Sequence, residues 1–67
     1  MNMETARAET LASLTKAAEQ HRAKRPDAWP AFTFGSFCLQ LALAAAAAQT
    51  PEELAAMAEK VRDALNA

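Results

Sequence analysis

Apolar positions recur along this chain at the 3.6-residue period of an α-helix in three stretches. The first runs from residue 3 to about residue 25, and its stripe is narrow: Ala8, Leu11, Leu14 and Ala18, with Ala12 and Ala17 beside it. Glu4, Arg7, Glu9, Lys16, Glu19 and Arg22 populate the other face, where Glu19 and Arg22 have the spacing of a weak ion pair. Pro26 ends the stretch, because proline disfavours helical geometry in the residue before it. Residues 26–30 read as a turn in which Asp27 is placed to cap a second helix and Pro30 to sit in its first turn.

The second helix is expected over about residues 30–48, with Thr33 or Ser36 as later alternative starts. Phe34, Phe37, Leu41, Ala44, Ala45 and Ala48 form one apolar stripe; Phe32, Ser36, Leu39, Leu43 and Ala47 form another on a different face. A helix apolar nearly all round is the pattern of an element surrounded by protein. The third helix, about residues 51–66, has the clearest start. Thr50 is the cap, Pro51 occupies the first helical position, and Glu53 is placed to reach back to the cap amide. Leu54, Met57, Ala58, Val61, Ala64 and Leu65 then line one side.

This pattern predicts a single all-α domain: a small three-helix bundle in which helices two and three, separated only by Gln49 and Thr50, form a tight antiparallel hairpin. The alanines of residues 44–48 let helix backbones approach closely, with Leu54 and Met57 against them. Helices one and three each offer one narrow stripe, so the apolar surplus of helix two is expected to meet a second copy or a different protein.

Composition sharpens this picture. The chain has 67 residues, 52% of them hydrophobic, but 19 of those 35 are alanine, so the core is thin. With no Ile, no Tyr and one Val, the residues that suit a pleated surface are missing and a sheet protein is excluded. The net charge of −1 argues against a generic polyanion binder but leaves room for a local basic patch. One cysteine, Cys38, forms no internal disulfide, and the N-terminus lacks the basic start and apolar run of a secretory signal, so a cytoplasmic location is expected. Residues 28–51 hold no charge and are long enough for a membrane span, but Pro30, Thr33, Gly35, Ser36, Gln40, Gln49 and Thr50 interrupt them.

The chemistry available for catalysis is sparse. His21 stands among Arg22, Lys24 and Arg25 and reads as a solvated residue at a helix C-terminus, where cations suit the dipole. Cys38, between Phe37 and Leu39, reads as a small buried hydrophobe rather than as half of a Cys38–His21 dyad. One His and one Cys cannot build a structural zinc site, and the only glycine, Gly35, excludes a glycine-rich phosphate loop. No enzyme activity, metal or cofactor is expected.

Protein binding uses the available residues most economically. Trp29, Phe32, Phe34 and Phe37 fall within nine residues, directly after Arg22, Lys24 and Arg25, and aromatic and Arg side chains dominate interface energetics. Phe34 and Phe37 are assigned to the core, and Trp29, Phe32, Arg22, Lys24 and Arg25 to a partner-facing patch. The expected function is a non-catalytic module that occupies a surface on a protein or multiprotein complex. Its size suits an accessory or inhibitory factor, including one carried by a phage or plasmid against a host complex. Two alternatives remain open: a nucleic-acid-binding regulator using the basic run 22–25, disfavoured by Glu52 and Glu53 at the start of the third helix, and a small single-span membrane protein.

Overall fold

A computed structural model describes residues 2–67. They form α1 (Met3–Lys24), a 3₁₀ turn (Pro26–Ala28), α2 (Ala31–Ala47) and α3 (Pro51–Asn66), an all-α bundle in which every helix contacts the other two. Local chemistry explains each boundary. Asn2 caps α1, its Oδ1 accepting the Glu4 N–H at 2.8 Å. Arg25, held at φ −137° and ψ 64° before Pro26, cannot continue the helix, and its N–H donates to the carbonyls of His21 and Arg22.

The start of α2 differs from the expected one. Asp27 lies inside the 3₁₀ turn and caps nothing; Pro30 holds the cap position of α2, with no side-chain cap. Two prolines four residues apart account for this. Pro26 favours the first position of its own short turn, while Pro30 keeps Trp29 out of helical geometry (φ −127°, ψ 70°), so the helix can restart only beyond it. At α3, the Thr50 Oγ1 accepts the Glu53 N–H at 3.1 Å, and its hydroxyl donates to the Glu53 carboxylate at 3.3 Å. Glu53 thus returns to the cap side chain rather than to the cap amide.

The packing runs in layers along α1. At one end Ala6 meets Ala45 and Ala48 of α2 and Leu54 of α3, with Met3 and Met57 beside them. In the middle Leu14 meets Leu41 and Ala58, flanked by Leu11, Phe37, Met57 and Val61. This register makes α2 antiparallel and α3 parallel to α1. The α2–α3 pair is therefore antiparallel across the 48–50 connection, but both helices contact α1 more extensively than they contact each other. Ala45 and Ala48 do lie with Leu54 and Met57, as expected, and also admit Ala6 and Met3. Small side chains in the same layer from two helices allow the close approach that a core with few large residues requires.

Several face assignments shift. In α1, Ala6 is buried while Ala8 and Ala12 are exposed; in α3, Ala64 is exposed. Arg7, assigned to the outer face, is half-buried and donates from Nε (3.1 Å) and Nη2 to the carbonyl of Ala48. That carbonyl closes α2, whose last turn carries no basic residue, so α1 supplies the cation that the α2 dipole favours. Helix α2 divides its two stripes cleanly. The stripe of Phe34, Phe37, Leu41, Ala44, Ala45 and Ala48 is buried or half-buried, and that of Phe32, Ser36, Leu39, Leu43 and Ala47 faces outward. Among the described residues no helix is long and apolar enough to cross a membrane, so the single-span alternative is set aside: residues 28–51 contain the end of a turn, a 17-residue helix and a connection.

Two substitutions separate these roles. Leu14→Ala, at a side chain with no exposed surface, is expected to lower the unfolding free energy by about 3 kcal/mol in urea titrations, while Leu43→Ala, 61% exposed, leaves the isolated chain within about 0.5 kcal/mol. Equal losses would contradict the division of faces. Arg7→Ala is expected to cost about 1–2 kcal/mol by leaving the Ala48 carbonyl without its donor; an unchanged midpoint would contradict that role.

Candidate functional site

Two features flank the N-terminal half of α2. The first is the aromatic turn. Trp29 is half-buried, and its Nε1–H donates to Nδ1 of His21 at 2.7 Å. A neutral His21 in this arrangement keeps Nδ1 as acceptor and carries its proton on Nε2. The indole meets Phe37 and Phe34 edge to face, at centroid distances of 5.1 and 6.0 Å, and the His21 ring at 5.6 Å. Arg22 donates from Nε to the Trp29 carbonyl at 3.1 Å and lies over the Phe34 ring, 4.9 Å from its centroid.

This cluster joins α1 to α2. The last turn of α1 supplies His21 and Arg22, the first turns of α2 supply Phe34 and Phe37, and Trp29 stands between them. His21 is therefore half-buried and engaged, not the solvated residue its neighbours suggest. Arg22 is drawn to Trp29 and Phe34 instead of pairing with Glu19. Cys38 is half-buried. Among the described residues no group of three or more His, Cys, Asp and Glu side chains is placed to hold a metal ion.

The second feature is the outer face of α2. Phe32 is 88% exposed, and Leu39 and Leu43 are 61% exposed each; these are the large hydrophobic residues standing in solvent. They lie at 32, 39 and 43, one helical face, with Gly35, Ser36 and Ala46 among them. No charged side chain occurs between residues 28 and 51. A contiguous, charge-free apolar face on a helix is unusual on an isolated small protein and marks a surface suited to burial.

The five residues assigned to a partner-facing patch thus divide. Phe32 is the most exposed large apolar residue among the described residues, and Lys24 and Arg25 are exposed at the end of α1. Trp29 and Arg22 are half-buried and engaged within the aromatic turn. Leu39 and Leu43, absent from that patch, belong to the exposed face with Phe32. The signal for them was present in the second stripe of α2. It was outweighed by the aromatic cluster, because periodicity alone does not say which of two apolar faces a bundle turns inward. Comparison of the chain with protein-family models, with curated proteins and with solved structures finds no match.

Trp29→Ala is expected to lower stability by about 2–3 kcal/mol, because it removes three aromatic contacts and the donor to His21, and to reduce helicity near the melting midpoint. Unchanged circular dichroism and an unchanged melting curve would contradict the joining role of the indole.

Proposed function

We propose that this chain is a non-catalytic protein-binding module whose binding surface is the outer face of α2, bordered at its N-terminal end by Lys24 and Arg25. The observation that carries the reading is the exposure of Phe32, Leu39 and Leu43 on one charge-free helical face. An amphipathic or apolar helix face that docks on another protein anchors itself by large side chains at this kind of spacing. The neighbouring chemistry fits: His21 is tied to Trp29, so the side chain best suited to proton transfer serves packing instead. Such a module works by occupying a surface on a protein or complex, as an accessory or inhibitory factor. Its single cysteine suits the reducing conditions of the cytoplasm.

Binding of nucleic acid through the basic run has weaker support. Arg22 is engaged by Trp29 and Phe34, which leaves Lys24 and Arg25 as the exposed cations of that run. Two phosphate contacts give little affinity at physiological salt.

Affinity capture from native host cells tests the reading. Wild-type chain is expected to retain a defined protein, whether a second copy of itself or a different chain, Leu43→Lys to lose it with unchanged circular dichroism, and Lys24→Ala with Arg25→Ala to weaken it only modestly. Capture insensitive to Leu43→Lys but abolished by the double alanine variant or by moderate salt would overturn the reading in favour of nucleic acid or another polyanion.

A further inference from the structure

We propose that the occupant of the α2 outer face is a second copy of this chain, paired antiparallel about a two-fold axis at Leu39. The inference rests on the reading of that face as a protein-binding surface and names its partner.

The chain exposes 4712 Å², more than the about 4,100 Å² that folded monomers of this mass expose on the usual scaling, as suits an elongated bundle of 38 × 20 × 14 Å that leaves Phe32, Leu39 and Leu43 uncovered.

The face is also complementary to itself. Leu39 is the midpoint of α2, so a two-fold axis there overlaps the two helices along their whole length. Seven residues to either side stand Phe32 and Ala46, and four to either side stand Gly35 and Leu43. Antiparallel pairing sets each large side chain opposite a small one on the other copy, and Leu39 against its own counterpart. Parallel pairing would set Phe32 against Phe32 and leave Gly35 facing Gly35.

Gly35 supplies an independent argument. It lies within α2, where glycine costs about 1 kcal/mol relative to alanine. Nothing within the chain requires it, since a Cβ built there would meet no atom within 4 Å. Close approach of a Leu43 side chain from a second copy gives the missing Cβ a purpose.

The charges agree with the same orientation. The charge-free segment 28–51 is preceded by Lys24, Arg25 and Asp27, together one net positive charge, and followed by Glu52 and Glu53, all five exposed. Antiparallel pairing brings the basic end of each copy beside the acidic end of the other, twice. Parallel pairing juxtaposes like charges, which penalises that register.

Sedimentation equilibrium of the full chain, from micromolar to millimolar concentration, tests the proposal. The wild type is expected to reach the mass of two chains. Leu39→Lys places two ammonium groups at the axis and is expected to give the mass of one chain throughout the range. Gly35→Gln, at a position open to solvent, is expected to weaken association at least tenfold with helicity kept or raised, and it stands in for Leu39→Lys should that variant lose its fold. Glu52→Lys with Glu53→Lys is expected to weaken association at low salt, and adding Lys24→Glu with Arg25→Glu to restore it. A wild type that stays monomeric at millimolar concentration overturns the proposal, as does a dimer indifferent to both Leu39→Lys and Gly35→Gln. A monomeric chain that still captures another protein in a Leu43-dependent way overturns the second copy alone; a monomer without such capture overturns the protein-binding reading as well.

Discussion

Leu14 and Ala18 have no exposed surface, and both lie on α1. The bundle depends on this one helix, which must pack against two neighbours with few large apolar side chains. Such a core reaches interior density only if backbones come close, and alanine is the side chain that allows it. Ala6 against Ala45 and Ala48 does this at one end, while Leu14 between Leu41 and Ala58 fills the middle. The alanine content is therefore the condition under which a single helix can serve as the spine of so small a domain.

A second consequence concerns α2, which has no charged residue with which to finish its own ends. Helix α1 reaches both, although only Arg7, at the C-terminal end, brings the charge that the α2 dipole favours. Arg7 donates to the Ala48 carbonyl just beyond the last turn of α2, and Arg22 donates to the Trp29 carbonyl just before the first. Two arginines fifteen residues apart on α1 thus hold α2 at either end, and each places its charge against backbone oxygen rather than against a carboxylate. With its inner stripe on α1 and its termini held from α1, α2 is free to keep its opposite face apolar without disturbing the fold. That freedom is the structural basis for reading the face as functional.

Much of this was legible in the sequence, and the parts that were not have physical reasons. The Thr50-Pro51 start of α3 and the two stripes of α2 were readable because caps, prolines and large side chains mark position strongly. The face of α1 was legible at Leu11, Leu14 and Ala18, but its N-terminal end was assigned to Ala8 rather than Ala6, because alanines at many positions barely bias a helix toward either rotation where no larger side chain fixes it. Arg7, Arg22 and His21 looked like surface charges. Arg7 reaches a carbonyl forty-one residues away, Arg22 the Trp29 carbonyl and the Phe34 ring, and His21 the Trp29 indole across a turn, and none of these relations leaves a local pattern. The outer face of α2 was visible as a stripe, but a bundle of unknown packing gave no means of telling it from the inner one.

Native-state hydrogen exchange followed amide by amide tests most directly whether α1 is the spine. The slowest-exchanging amides are expected in the middle of α1, around Leu14 and Ala18, with those of α2 and α3 exchanging through smaller, separate openings. Slowest exchange in α2 and α3 together, with α1 opening first, would contradict this and make the α2–α3 hairpin the stable unit.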